Sequence, residues 1–414
     1  MRLTLYPDEK STVGTPLDFG TRLLGVTFED CENKTDKLTL QLDNFDLAMF
    51  DREELMGGAV LEASWGYPGA MSPPRRTIVR SMKGFQSLTI EALSLGVLLN
   101  QATRTRGFES KTRSDVVRAI AAEYGFDSAL VDVDDTKVTF DVVNQAAETD
   151  AQFLRRLAAR EGFAFYVDAS GLHWHRRRQD APPTHVFTWY SDARGEVLSI
   201  NVDSDLVKRV GSATVRARDP IAKTTVSTSS TADTAQRSTL GDVVEVVDPA
   251  SGASTLLSRN ATESVASSSA SSAAGVAREA EARFVAAERE TVKLTVQVVG
   301  DPTLAAKTIV ELRGISSLLS GKYYVNEAKH VIAGGGYTCE LKLTRDAKGR
   351  LPAAAGPDAG KPQTGDKNKA SPPTNGAPRI TEQVDPDTGA SCVSYSSAGA
   401  TSSDPEGQLY SRAR

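Results

Sequence analysis

Between Glu148 and His175, ETDAQFLRRLAAREGFAFYVDASGLHWH, the apolar period changes once, and a helix followed by a hairpin accounts for both halves. Thr149 and Gln152 sit three apart, the spacing at which a hydroxyl accepts from an early helix N–H while the amide folds back on the cap. Phe153, Leu154, Leu157 and Ala158 then recur at helical spacing, with Arg155, Arg156 and Arg160 on the opposite side. Gly162 supplies the left-handed residue that ends such a helix. Beyond it Phe163, Phe165 and Val167 alternate with Ala164 and Tyr166. Asp168 to Gly171 provides turn chemistry, and Leu172 and Trp174 alternate with His173 and His175 on a return strand.

The same grammar appears once earlier. In KTRSDVVRAIAAEYGF, Val116, Val117, Ile120, Ala121 and Tyr124 form an apolar stripe that stops at Gly125, and Val138–Val143 predicts a strand between the two helices. Upstream, short turn-bounded strands are predicted at Leu38–Leu42, Val60–Trp65, Thr77–Met82 and Leu88–Leu93, the pattern of a small barrel or sandwich. Downstream of Pro182-Pro183, alternation restarts at Gly195–Val202 and Ala213–Arg218. From Ile221 to Ser272 Ser, Thr and Ala dominate, which predicts a surface excursion with little structure except at Val243–Val247. Ala273–Glu290 predicts a helix with Val276, Phe284 and Ala287 inward, and Val292–Val298 a strand ending at Gly300-Asp301-Pro302. From Asp346 onward the chain is polar, Pro- and Gly-rich, and expected to be mobile in isolation.

A chain of 414 residues is long enough for two or three cores. Its net charge of −5 argues against a protein that coats nucleic acid. No apolar run reaches membrane-spanning length, the N-terminus lacks a signal-peptide pattern, and three scattered cysteines make a disulfide framework improbable.

The segment ETDAQFLRRLAAREGFAFYVDASGLHW resembles the central signature of the late control gene D family, the baseplate hubs of contractile-tail phages, whose fold also forms the N-terminal half of type VI secretion spike proteins. GDPTLAAKTIVELRGISSLLSGKYYVNEAKHVIAGGGYTCELKLTR resembles the family's closing signature. The resemblance implies an α+β, mainly β fold: two tube-like β-barrel domains flanking a mixed α/β insert domain, plus a long polar C-terminal tail. The expected division is 1–105 for the first barrel, 106–195 for the middle domain, 196–220 with 291–346 for the second barrel, 221–290 for the excursion and helix, and 347–414 for a low-complexity tail that contacts a spike. It further implies a homotrimeric ring that adapts a six-fold tail tube to a three-fold central spike and encloses a channel. Expected partners are the spike, the tube or its initiator, wedge proteins and, in transit through the channel, tape measure protein and DNA. The expected location is the virion tail baseplate, assembled in the host bacterial cytoplasm, with no stable membrane insertion. A tailocin or secretion-system hub is the nearest alternative, and a tail-associated metal-dependent cell-wall hydrolase the alternative of another class.

Residues expected to be structurally decisive are Thr149, Asp150, Phe153, Leu154, Leu157, Gly162, Gly300, Asp301, Pro302, His330, Tyr337 and Thr338. Chemistry finds little support. His173 and His175 share a strand face and could begin a metal site, but no third ligand follows at suitable spacing. Glu148 and Asp150 are accounted for as helix-start carboxylates that complement the macrodipole, and His330 as a structural hydrogen-bonding residue. No phosphate loop, dinucleotide fingerprint or HExxH motif is present. No catalytic residue, cofactor or metal is expected.

Overall fold

The computed structural model describes residues 1–189, 196–203, 210–218, 223–231, 240, 245–247, 254–256, 261–265, 273–289, 292–316, 319–346, 379–384 and 391–396. The N-terminal third consists of β1 (Arg2–Tyr6), β2 (Thr15–Leu17), β3 (Leu23–Cys31), β4 (Lys37–Asp43), β5 (Val60–Ser64), a small hairpin β6 (Gly66–Tyr67) and β7 (Ala70–Met71), β8 (Arg75–Gly84) and β9 (Ser87–Ser94). Antiparallel pairs run in the order β3, β4, β9, β8, β5, β1, β2. Leu38, Leu40 and Leu42, the alternating leucines of β4, are all buried, together with Phe28, Leu61 and Ile90 in one core. Period-2 alternation gives this sheet one apolar face.

The middle domain pairs β10 (Thr103–Thr112) with β12 (Thr139–Thr149), and each strand leads straight into a helix, α1 (Arg113–Glu123) and α2 (Asp150–Glu161). α2 begins with the reciprocal cap expected from sequence, Thr149 with Gln152, and α1 begins with an equivalent one, Thr112 with Asp115. Gly162 ends α2 at φ 69°, in the left-handed region where a side chain is disfavoured. The hairpin of β13 (Ala164–Asp168) and β14 (Gly171–His175) follows, and the short β11 (Val131–Val133) joins its β14 edge in parallel. Val116, Ile120, Phe153, Leu154, Leu157 and Trp174 fill the core between helices and hairpin.

The C-terminal strands are β15 (His185–Thr188), β16 (Val197–Asp203), β22 (Val292–Val299), β23 (Ile309–Arg313), β24 (Gly321–Ala333) and β25 (Gly336–Arg345). They surround a second core that includes Val296, Val310, Tyr323 and Leu341. Two strand-built cores therefore flank the mixed domain, but they are not separate sheets. β24 pairs with β25 along one edge and divides its other edge, giving Gly321–Tyr324 to β23 and Glu327–Ala333 to β3. The register of β24 against β25 shifts between Val325 and Glu327, so a bulge stands where the strand passes from one core to the other. The result is a 13-stranded sheet whose path runs from β16 to β2. Among the described residues strand pairing closes neither core into a ring.

The Ser/Thr-rich excursion carries more structure than its composition predicts. β17 (Val210–Arg218) pairs with β18 (Thr225–Thr231) and β21 (Ala261–Val265), and β19 (Glu245–Val247) pairs with β20 (Ser254–Leu256). The strand expected at Ala213–Arg218 therefore belongs to this separate sheet and not beside β22. Its apolar side, Val215 and Ala217 with Val226, is covered by Val276 and Ala280 of α3 (Ala273–Arg289) and by Phe140 of the middle domain. A polar strand needs little apolar area of its own when a helix supplies the cover, and threonine suits the extended backbone. Of the stretch 243–247, set apart from the rest of the excursion by its composition, residues 245–247 form β19, and 243 and 244 lie outside the described residues. In the polar tail β26 (Arg379–Val384) and β27 (Ser391–Ser396) form an antiparallel pair within a unit of its own, residues 355–414; the remainder of the expected mobile tail lies outside the described residues.

Candidate functional site

The residues singled out near the C-terminal signature converge on the seam between the two strand cores. Gly300 donates its N–H to the Tyr337 carbonyl at 2.9 Å, and a Cβ at Gly300 would fall 2.2 Å from the Tyr337 ring, so only glycine fits. Asp301 accepts from the backbone N–H of Thr303 at 2.8 Å and from its hydroxyl at 2.6 Å, fixing the turn. Pro302 packs against the position of Gly66, where a Cβ would lie 3.1 Å from the proline's own. His330 is buried: its Nε2 donates to the Leu304 carbonyl at 3.1 Å, and its Nδ1 accepts from the Tyr337 hydroxyl at 2.7 Å. Burial pushes His330 down to about 4, and the neutral ring packs 5.1 Å from Trp65 of the N-terminal core. Tyr337 packs against both cores and lies 5.8 Å from Tyr67. Thr338 lies one residue further along β25, opposite Val299 and Val331.

Two buried charge clusters cross the same seam, and neither is readable from local sequence. Lys307 pairs with Asp30 and lies 3.5 Å from Asp36, while Asp30 also accepts from the Ala306 N–H at 3.1 Å. Burial raises Asp36 to about 7 despite the neighbouring ammonium. Burial alone would pull Lys307 down, but Asp30 and Asp36 together hold it above the usual lysine range. Glu32 accepts from the Arg177 guanidinium, with Nε at 2.7 Å, and from the Tyr324 hydroxyl at 2.9 Å. It thereby joins the N-terminal core, the middle domain and the C-terminal core at one carboxylate. Burial opposes its charge, but Arg177 outweighs that and keeps it ionised below the usual range.

The α2 signature residues sit in the middle domain. Phe153, Leu154 and Leu157 are fully buried. Asp150 is more than a dipole complement: it is fully buried and accepts from Arg106 Nη2 at 2.8 Å, Gln145 Nε2 at 2.8 Å and the Tyr124 hydroxyl at 2.7 Å. A buried carboxylate is stable only with such partners. At the other end of α2, Arg113 bridges Glu161 at 2.5 Å and Glu279 of α3 at 3.1 Å, while Arg278 reaches Glu161 at 3.2 Å and Arg289 donates to the Gly162 carbonyl at 2.6 Å. This cluster fastens α3 to the middle domain. His173 and His175 do acquire a third candidate ligand, Asp132, which comes from upstream in the chain through the parallel pairing of β11 with β14. A search for a third ligand downstream of the histidines could not find it.

The sequence matches the phage tail baseplate hub (GPD) family over residues 82–336. The chain belongs to that family. No curated protein matches it. Among solved structures it is similar to a tail protein of Neisseria meningitidis MC58, at 15% identity and TM-score 0.59, covering 83% of this chain and 96% of that one. It is also similar to the 43 kDa tail protein of prophage MuSo2 from Shewanella oneidensis, at 14% identity and TM-score 0.58, covering 83% and 98%. A third likeness is to the E. coli c3393 protein, a component of the type VI secretion system, at 12% identity and TM-score 0.52, covering 85% and 80%. At such identities these likenesses establish the fold. Among the described residues no helix is long and apolar enough to cross a membrane.

Proposed function

We propose that three copies of this chain form the baseplate hub of a contractile phage tail, a ring that adapts a six-fold tail tube to a three-fold central spike. The observation that carries this reading is the pair of strand-built cores joined in one sheet through β3 and β24. Each copy then fills two of six places around an axis, with the end strands β2 and β16 offered to neighbouring copies. Closed cyclic assembly through head-to-tail contacts, one end strand meeting the other in the next copy, satisfies such edges. On this reading the two strand cores, within 1–105 and within 196–220 plus 291–346, form the ring, and 106–195 with the α3 unit packs alongside. Spike, tube and wedge proteins are the stable partners, tape measure protein and DNA pass through the channel, and the hub is assembled in the host cytoplasm. The residues at the seam, from Gly300 to Thr338, keep the two cores in fixed relation. The α2 signature from Thr149 to Gly162 keeps the middle domain folded.

The protein is proposed to be non-enzymatic. Zymography with and without chelator is expected to show no lysis, and chelator-sensitive lysis would overturn this. Native mass measurement of the full chain, alone and with a candidate spike, tests the assembly: the expected mass is three times 44.2 kDa. A monomer under every condition would sink it. The likeness to the E. coli secretion component favours one second reading, a hub of a tailocin or secretion-type particle. Neighbouring genes that lack capsid and packaging functions would select it.

A further inference from the structure

We propose that Asp132, His173 and His175 bind one divalent first-row transition-metal ion, zinc being the best fit, and that the ion clips β11 to the hairpin of β13 and β14. Residues i and i+2 of a strand share a face, which puts both imidazoles on one side of β14. Parallel pairing sets Asp132 opposite His173. The three candidate ligand atoms lie within 4.8 Å of one another, and Asp132 Oδ2 is 3.7 Å from His173 Nδ1 and 3.8 Å from His175 Nε2. Tetrahedral ligands at zinc bond lengths stand about 3.3–3.5 Å apart, so the pairs to Asp132 need only a small contraction.

The tautomers are already arranged for a cation. His175 Nδ1 donates to the Arg176 carbonyl at 2.6 Å, which leaves its Nε2 as the lone-pair nitrogen on the side of Asp132. His173 Nε2 lies 2.9 Å from the Ser170 hydroxyl and 3.3 Å from Asp168 Oδ1, so its proton belongs on that side. A carboxylate behind a ligating imidazole is the usual support of a metal site. His173 Nδ1, left bare, is a buried polar atom with no hydrogen-bond partner. Such an atom carries a desolvation cost that a metal ion would remove. Two imidazoles and one carboxylate suit zinc, whereas magnesium and calcium require mostly oxygen ligands.

Two neighbours compete with the ion. Arg178 Nη2 holds Asp132 Oδ2 at 2.6 Å, but that side chain is 65% exposed and free to swing away. The Tyr166 hydroxyl lies 3.2 Å from His175 Nε2, and the ion would have to displace that hydrogen bond.

The full chain, stripped with chelator, is titrated with Zn²⁺ by calorimetry and with Co²⁺ by visible absorption. One ion per chain and the d–d bands of tetrahedral cobalt are expected. Asp132→Asn and His173→Ala should each weaken Zn²⁺ binding by about ten-fold or more, and Asp168→Asn by about ten-fold. Tyr166→Phe, which removes the competing hydroxyl, should bind as tightly as the parent or more so. Asp132 is 38% exposed, so its isosteric amide keeps the hairpin intact, and circular dichroism verifies the fold of each variant. No saturable binding, or equal affinity in the parent and Asp132→Asn, overturns the proposal. The result is independent of the assembly reading, which stands or falls on stoichiometry.

Discussion

The seam between the strand cores and the contact between α2 and α3 both rely on buried charge, yet they are built differently. At the seam Lys307 with Asp30 and Asp36, and Glu32 with Arg177, lie beneath continuous strand pairing and a packed set of Trp65, His330 and Tyr337. At α2 and α3 the Arg113, Glu161, Glu279 and Arg278 cluster works beside small residues; a Cβ on Gly162, for example, would lie 3.4 Å from that of Ala282. Charge at the seam reinforces a contact that backbone hydrogen bonds already specify. Between the helices it supplies much of the specificity itself. The first arrangement fixes the two strand cores against each other, and the second holds α3 against the middle domain.

The seam is most sensitive at Lys307. Replacing it by methionine strands two buried carboxylates, and a loss of about 3–5 kcal/mol in urea unfolding is expected. A loss under 1 kcal/mol would mean that strand pairing alone holds the seam.

A pH series sharpens the same point. His330 is neutral in the fold, at about 4, but titrates near its ordinary 6.5 when unfolded, so its contribution is present above about pH 6.5 and is lost as pH falls toward 4. Asp36, raised to about 7, acts in the opposite sense: its contribution is complete below the ordinary aspartate value and is lost as pH rises through 7. Between pH 4 and 6.5 the two oppose each other, each with a slope of at most about 1.4 kcal/mol per pH unit. Asp36→Asn should therefore make stability fall as the pH drops, and His330→Asn should make it rise, both relative to the parent and read from urea midpoints across that range.

At the helix contact Arg113→Met should cost about 2 kcal/mol, less than a stranded pair because Arg278 and Arg160 remain near the two glutamates. Hydrogen exchange should quicken in α3 while β3 and β24 stay protected. Equal loosening of both regions would erase the distinction drawn between them. The smallest effect belongs to Thr149→Ala, about 1 kcal/mol from the lost cap, confined to the first turn of α2.

What the sequence made legible was local. The cap at Thr149, the stop at Gly162 and the hairpin from Ala164 to His175 depend on residues a few positions apart, and all are found. The strand periods around Leu38–Leu42 and Val292–Val298 are likewise found, because alternation reports one buried face. What stayed hidden was long-range. Asp30 and Lys307 are 277 residues apart and Glu32 and Tyr324 are 292 apart, and no spacing rule connects them. The division of β24 between two cores depends on a bulge that leaves no compositional mark. The strands of the Ser/Thr excursion leave little trace in composition because their apolar cover, α3, is contributed from further along the chain. Asp132 escaped notice for a related reason: parallel pairing brings it to the histidines from the upstream side.

Single-particle imaging of the purified protein decides between one lobe per chain and two. Three chains presenting six strand-built lobes around one axis are expected, with β3 of each copy paired to its own β24. A particle with one lobe per chain, or with the two cores of a chain apart, would contradict it.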